Sequence, residues 1–347
     1  MESLKMTNVD SQDRAFDGEN LPSLQQSSCR SLVGDGEGPL FSLLVATVGR
    51  QDVLVRLLES LASQSISKDS FEVLIADQNP PGFLQPILTS FPTRLRLRVV
   101  SVPNRGVSQA RNALLPLATG SYITFPDDDC VYEKSTLQEA LNGFESLPHV
   151  HVILARWTPH GQCGNDTRLK NAPRNWLSVF KRGETYVQFY RREAVLKVGA
   201  FDPRIGSGTG LPYGGSEDTD YLLRAAKAGF SIMFVPKVLV HHKGAEMTKG
   251  LDVEKIRSYA IGRMYLLHKH RLPLWFQVAN ILYPLARLPL EGFKAVPYRW
   301  KMFMSRWRGF FYVRKCGIVA IASARRRSKL CPGQKRRLKR NRQKGPF

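Results

Sequence analysis

The 347-residue chain lacks the paired cysteines that a disulfide framework or a structural zinc site would need. Its five cysteines (Cys29, Cys130, Cys163, Cys316 and Cys331) are odd in number, scattered, and form no Cys-x-x-Cys pair. That usage suits a reducing cytosol. The N-terminal region is acidic and polar, without the apolar stretch of a secretory signal. No run is long enough to cross a bilayer either: the longest uncharged apolar-rich stretch, Leu272 to Ala286, contains two prolines. There is no internal repeat. Acid is missing altogether from residues 294–347, which hold 18 basic residues.

The net charge of +22 is therefore unevenly spread. Residues 1–40 carry three Lys/Arg and seven Asp/Glu, whereas residues 41–293 carry 30 basic and 22 acidic residues, a mild excess of +8. With 43% hydrophobic and 23% charged residues, the chain has material for a full core and a second region, which excludes a wholly disordered protein. The patterning divides it into a disordered tail over 1–40, an ordered region over 41–250, which splits again into 41–130 and 131–250, an amphipathic helical region over 251–324, and a basic disordered tail over 325–347.

Order begins with Phe41-Ser-Leu-Leu-Val-Ala-Thr-Val48, a buried strand, followed by a helical pattern from Val53 to Leu61. Further strands are expected at Phe71 to Ala76, Leu95 to Val102 and Tyr122 to Phe125, with a helix from Val107 to Ala118. Short apolar strands alternating with helices imply a mainly parallel sheet covered on both faces. Strands are also expected at Val150 to Ala155, Tyr186 to Tyr190, Ser231 to Val235 and Val238 to His241. A helix from Glu217 to Ala228 is closed by Gly229.

The run Asp127-Asp128-Asp129 follows directly on Tyr122 to Pro126. Three successive carboxylates where a buried strand meets solvent repel one another, and a divalent cation with its phosphates offsets that repulsion. Such runs also suit turns and helix N-caps. Both Asp77 and the Asp127 run fall at strand C-terminal ends, where open parallel sheets bind ligands. Glu217 and Asp218 could act on a proton, or could stabilise the first turn of their helix behind Ser216 as N-cap. His241 and His242 follow a short strand and could complete a metal site; adjacent strand residues point to opposite faces, so only one can ligate. Arg111 could steady phosphate or be a solvated helix residue. Trp176 and Tyr213 could stack on a sugar ring or pack in the core.

Asn104-Arg-Gly-Val-Ser-Gln-Ala-Arg-Asn112 followed by Ala118-Thr-Gly-Ser-Tyr-Ile-Thr-Phe-Pro-Asp-Asp-Asp129 closely resembles the family 2 glycosyltransferases. The resemblance runs from Phe41 to Lys243 and takes in Thr47, Arg50, Asp77, Gly214-Gly-Ser-Glu-Asp-Thr-Asp220 and Pro236 to His241. It implies an α/β fold: the Rossmann-like, mainly parallel central sheet of A-type glycosyltransferases, here with a C-terminal amphipathic helical extension. It further implies that Asp77 contacts the nucleobase, Asp127 and Asp128 the ribose and diphosphate region, and Asp129 the metal, Mn²⁺ or Mg²⁺. Thr47, Arg50, Asn104, Gly106 and Arg111 join the donor site. Asp218, beside Glu217, becomes the base that deprotonates the acceptor, and His241 is favoured as the second metal ligand. One carboxylate base opposite a diphosphate leaving group implies inversion at the anomeric carbon.

Two departures from the family pattern matter. Gln-x-x-Arg-Trp, found in processive members, is absent, which implies transfer of one sugar per encounter to a glycan or lipid-linked acceptor. Gln78 follows Asp77 where relatives often carry a second acid, which leaves the donor's base and sugar open. The basic C-terminus beside interleaved aromatics suits an anionic membrane surface, so a cytoplasmic protein peripheral on the inner face of the cell membrane is expected, with no nucleic acid partner. The rivals are a nucleic-acid-binding or scaffold protein using the basic tail, and a nucleotidyltransferase, which would need a glycine-rich phosphate loop that the N-terminal part does not have.

Overall fold

Phe41–Thr47 forms β1 with every residue but Ala46 buried, and a strand covered on both faces belongs in the middle of a sheet. The computed structural model describes residues 38–91, 95–103, 105–159, 179–180, 184–242, 253–291 and 295–328, the last thirteen as backbone alone. β1 lies inside an eight-stranded sheet with Phe71–Asp77 (β2), Arg96–Ser101 (β3), Tyr122–Thr124 (β4), Cys130–Tyr132 (β5), Val152–Pro159 (β6), Gln188–Arg191 (β7) and Ile232–His242 (β8), in the order β3-β2-β1-β4-β7-β6-β8-β5. The pairings β1–β2, β2–β3, β1–β4 and β6–β8 are parallel, and β4–β7, β6–β7 and β5–β8 antiparallel. β3 is the half-exposed edge, and Arg96 and Arg98 on it keep that edge from pairing further.

Alternate residues of the strands enter two separate cores. Leu43 and Val45 face Leu54, Leu57, Leu58 and Leu61 of α1 (Gln51–Ala62) and Leu137, Ala140 and Phe144 of α4 (Thr136–Ser146). Leu44 faces the other way, toward Ala110 and Leu114 of α3 (Val107–Leu114), Ala194 and Val195 of α5 (Arg192–Val198), and Tyr221 and Leu222 of α6 (Glu217–Lys227). A short α2 (Gln85–Leu88) lies between β2 and β3. The helix expected as far as Ala118 stops at Leu114 and tightens into a 3₁₀ turn over Leu115–Leu117, because Pro116 cannot continue it. The two strands expected between Ser231 and His241 are one, β8. Its register against β6 slips between Ala155 and Arg156, opposite the Pro236 segment that cannot donate to the ladder.

Gly120, just before β4, is fixed by close approach: a Cβ there would lie 2.6 Å from Ser42 N and 2.7 Å from Phe41 C. β1 and β4 can meet at this point only over a bare Cα.

Beyond the sheet, α7 (Val253–Lys269), α8 (Leu274–Ala286), α9 (Leu288–Glu291) and α10 (Val296–Ser328) form a helical unit. Its own core joins Ile261, Met264, Leu267, Leu272, Ile281 and Val313. α10 continues past residue 324, where the basic tail was expected to begin, because arginine is a strong helix former. No helix among the described residues is long and apolar enough to cross a membrane.

The helical unit is tied to the sheet through Asp220 of α6, which is fully buried. Its carboxylate lies 2.7 Å from Lys269 Nζ, 2.8 Å from His270 Nε2 and 3.0 Å from Arg224 Nε. Burial opposes its charge, but the hydrogen bond from His270 and the charges of Lys269 and Arg224 outweigh it, holding the carboxyl at about 2 instead of 3.8. A depressed carboxyl contributes stability above its unfolded pKa and loses it as pH falls through the folded one. Asp220→Asn should therefore cost about 3–5 kcal/mol at neutral pH, since it strands buried cations. Urea unfolding at pH 7 and pH 3 checks this: the gap between wild type and variant should narrow at the lower pH.

Candidate active site at the carboxyl ends of the parallel strands

Strand register brings the first functional residues together. Thr47 and Asp77 are paired at the ends of β1 and β2, and an isolated parallel bridge joins Ala46 to Asp127. The acidic run thus follows β4 at the same sheet edge. Asp128 is almost fully buried, and Thr47 Oγ1 donates to its Oδ2 at 2.8 Å. Arg50, at the start of α1, spans two carboxylates: it donates to Asp128, and its Nη1 donates to Asp129 Oδ2 at 2.9 Å.

These neighbours set different protonation behaviour for adjacent acids. Burial pushes Asp128 up to about 6 despite Arg50 and Thr47. Burial acts on Asp129 too, but the hydrogen bond and charge of His242, with Arg50, prevail and hold it at about 2. Two like-charged neighbours separated in this way give the site one firmly ionised carboxylate beside one that is readily neutralised.

The histidine beside Asp129 is His242. Its Nε2 lies 3.1 Å from Asp129 Oδ1 and 4.0 Å from Asp127 Oδ2, and its ring stacks flat on Tyr186 at 4.3 Å between centroids. His241, the residue favoured by resemblance, points to the opposite face of β8. There its Nδ1 meets Thr158 Oγ1 at 2.8 Å and its Nε2 meets Glu133. The assignment of His241 as partner of Asp129 is thus corrected by strand alternation.

Donor atoms of Asp129, Cys130 and His242 lie within 4.8 Å of one another. The carboxylate of Asp129 suits Mn²⁺ or Mg²⁺ and the imidazole of His242 suits a transition ion such as Mn²⁺, whereas burial keeps the Cys130 thiol protonated, a weak donor. The residues present thus fit a divalent ion held by Asp129 and His242, with Arg50 bonded to the Asp129 oxygen on its other side.

Arg111 joins this edge to the second half of the site. It is only 1% exposed, and its Nη2 donates to Asp127 Oδ1 and Thr185 Oγ1, each at 2.8 Å, while Nη1 lies 3.9 Å from Glu217 Oε1. It is no solvated helix residue. Glu217 and Asp218 open α6, but the expected cap is different: Ser216 has a left-handed backbone (φ 72°) and its side chain makes no capping bond. Asp218 Oδ1 instead accepts from Thr219 N at 2.6 Å. One oxygen of Glu217 is buried without a hydrogen-bond partner. Burial raises both carboxyls above the ordinary range. For Asp218 the charge of Glu217 adds to it, whereas Arg111 partly relieves Glu217.

The remaining candidates have structural employment. Asp77 Oδ1 accepts from the amide and side chain of Asn79 at 2.9 and 2.7 Å, fixing the turn after β2. Gly106 starts α3 with φ 121°, its carbonyl accepting from Gln78 Nε2 at 3.5 Å. Asn104 and Trp176 lie outside the described residues. Tyr213 packs against Tyr265 and Tyr312 in the helical unit. The loop after Gly206 is bonded to α3, with Val107 N donating to Ser207 O at 3.0 Å.

Thr185 and Tyr186 belong to the site and escaped the sequence. They precede β7 as one 3₁₀ turn, and only the antiparallel insertion of β7 beside β4 brings them to Arg111 and His242.

Comparison with known proteins agrees with this geometry. The model of the family Glycosyl transferase family 2 matches residues 42–201. The chain is similar to poly(ribitol-phosphate) beta-N-acetylglucosaminyltransferase TarS of Staphylococcus aureus, 30% identical over 118 residues, 33% of this chain and 20% of TarS. It is also similar to glycosyltransferase AglE of Haloferax volcanii, 23% identical over 262 residues, 71% of this chain and 83% of AglE. The crystal structure of residues 1–349 of S. aureus TarS aligns with TM-score 0.50 and 18% identity, covering 79% of this chain and 91% of that one, a likeness of fold. The sequence match to TarS spans about a fifth of its length. Residues 42–201, a little under half of the chain, match glycosyl transferase family 2, and the acidic strand ends lie within them.

Proposed function

We propose that the chain is an inverting, metal-dependent glycosyltransferase that moves one sugar from a nucleotide-diphosphate sugar to a hydroxyl of a glycan or lipid-linked acceptor in polysaccharide assembly. The observation that carries the reading is the bridge at Arg111: a cation-ready acidic edge on one side, and on the other a buried carboxyl pair whose protons are held more tightly than usual. TarS, whose fold is similar, has been solved with UDP-GlcNAc and with UDP, which supports a nucleotide-sugar donor here.

Asp129 and His242 would hold the divalent ion, which spreads the negative charge of the departing diphosphate. Thr47 and Arg50 keep Asp128 and Asp129 in fixed rotamers, and the Tyr186 ring fixes the plane of the His242 imidazole. When the donor diphosphate enters, Arg50 exchanges carboxylate partners for phosphate oxygens at little electrostatic cost. Asp218 takes the acceptor proton. A base with a raised pKa is a better proton acceptor near neutrality than an ordinary aspartate. Glu217 holds that pKa up by its charge, and Arg111 limits the repulsion between the pair and Asp127.

The helical unit supports a membrane-surface location. Leu274, Trp275, Val278 and Leu282 on α8, and Trp300, Trp307 and Phe311 on α10, are exposed large apolar residues at helical spacing. The 19 residues beyond Ser328 hold eight Lys or Arg and no acid. Apolar insertion together with attraction to anionic headgroups gives a two-part anchor.

Asp129→Ala should abolish transfer and metal-dependent nucleotide binding in a folded protein, and Mn²⁺ or Mg²⁺ should restore wild-type activity after chelation. Full turnover in EDTA would refute the metal role. Asp218→Asn should lower kcat by about 10²–10⁴ with little change in donor affinity, and proton NMR of the product should show the inverted anomer. Glu217→Gln should move the acidic limb of the kcat/KM profile to lower pH, since it removes one charge that raises Asp218 but leaves its burial in place.

Removing residues after Ser328 should weaken binding to anionic vesicles and its salt sensitivity, yet leave the salt-resistant apolar part. Vesicle sedimentation at 0.1 and 0.5 M NaCl tests this, the screening length falling to under half over that range. Equal binding by both chains would reject the two-part anchor.

A further inference from the structure

A second concentration of positive charge lies where three helices of the C-terminal unit converge. Arg263 of α7 and Arg306 of α10 both reach Asn280 of α8: Arg263 Nε donates to its side-chain oxygen at 3.2 Å, and Arg306 Nη1 donates to its carbonyl at 2.6 Å. Asn280 is itself buried. Neither oxygen carries a full charge. Arg287 and Arg299, by contrast, share Glu291, and Arg224 has Asp220, whereas Arg314 of α10 reaches only the amide oxygen of Gln277. Among the described residues no carboxylate pairs with Arg263 or Arg306, and Arg306 Nε is buried with no hydrogen-bond partner.

Uncompensated cations of this kind are costly in a protein interior. The strain shows in both groups. Burial, with the charge of Arg306 added, pulls Arg263 down to about 9, and burial pulls Arg306 down to about 10. The charge of Asp218 partly offsets this at Arg263. Its guanidinium also lies over the ring of Phe180 at 4.3 Å, and Phe180 packs against both the second sheet core and the helical core. Gly262, next to Arg263 on α7, packs on the loop that leads into α6, where a Cβ would lie 2.4 Å from Gly214 O and 3.0 Å from Gly215 O, so Arg263 lies close to the start of α6 that carries Asp218.

We propose that Arg263 and Arg306, held apart by Asn280, form an anion site that takes a phosphate of the acceptor and so presents the acceptor hydroxyl to Asp218. The inference rests on the glycosyl-transfer reading for the word acceptor, and it narrows the acceptor to a phosphate-bearing carrier. Guanidinium forks match phosphate oxygens bidentately, and a bound dianion would supply the charge and acceptors that the fold withholds. Two sources share this chemistry: the diphosphate of a lipid carrier and the phosphodiesters of a polyol-phosphate polymer.

The test uses the full chain in EDTA, which removes metal-assisted diphosphate binding at Asp129. Calorimetric titration with farnesyl diphosphate, and separately with a short glycerol-phosphate oligomer, should give saturable binding for at least one probe; whichever binds names the source. The Arg263→Met/Arg306→Met double variant should bind that probe at least about tenfold more weakly, the loss expected for charged hydrogen bonds. Arg308→Met, exposed on the same helix, should bind as wild type. Asn280→Asp guards against simple misfolding: a carboxylate between the two guanidiniums should raise the melting temperature while abolishing probe binding. Binding of neither probe by wild type, or undiminished binding by the double variant or by Asn280→Asp, would overturn the proposal. Metal-dependent nucleotide binding, measured on the same wild-type protein, reports separately on the glycosyl-transfer reading.

Discussion

The arrangement of this molecule depends on one buried guanidinium. Arg111 lies beneath the acidic edge and beside Glu217, so it is the nearest positive charge to carboxylates contributed by two distant parts of the chain. Without it, Asp127, Glu217 and Asp218 would have to share a low-dielectric space with no compensation, and protonation or local unfolding would follow. Its Nε and Nη1 have no hydrogen-bond partner in the described structure. A cation buried with donors in reserve is prepared for a change in its surroundings, such as the arrival of negative charge at Asp127. The same logic governs Arg50 at the rim, although that residue is half-exposed and its bonds are correspondingly cheaper to exchange.

A second constraint fixes the acceptor half. The loop entering α6 runs through Gly214 and Gly215, and α7 presses on it: a Cβ at Gly262 would lie 2.4 Å from Gly214 O, and Gly214 N donates to Ser258 Oγ at 2.8 Å. The left-handed Ser216 then delivers Glu217 and Asp218 into the site. The carboxyl pair is thus positioned by the helical unit as much as by the sheet, and Asp220, one turn along α6, locks the same two bodies through Lys269 and His270. Catalytic half and helical extension form one structural unit here, which the charge and composition boundaries along the sequence do not suggest.

What the residues revealed in advance follows from how local each signal is. β1, β2 and β4 carry runs of apolar residues, and acid stands at the end of β2 and soon after β4, so both the strands and the acids at their ends were legible. Leu44 and Leu43 alternate between cores as a strand must. The choice between His241 and His242 was illegible, because it depends on the face that β8 turns to β5 and β6, a matter of long-range register. Thr185 and Tyr186 were invisible for the same reason. The cap at Ser216 was misread because residue preference describes the commonest local solution, and the close packing of Gly214 against α7 imposed another. Arg263 and Arg306 sit in a stretch whose composition reads as interfacial; only the folding of three helices onto Asn280 separates them from the arginines that meet solvent or acid.

That separation bears on how the helical unit is used. Its exposed aromatics, Trp275, Trp300 and Trp307, lie outside, whereas Arg263 and Arg306 are largely buried, and the charge of Asp218 partly offsets the burial of Arg263. An exposed apolar surface and an interior that holds positive charge are different physical devices on the same helical unit. A carrier whose apolar part remains at the interface and whose phosphate reaches inward would satisfy both at once. The cost of burying two guanidiniums without a carboxylate partner would then have a counterpart in binding, because the anion that relieved them would also bring its hydroxyl toward Asp218.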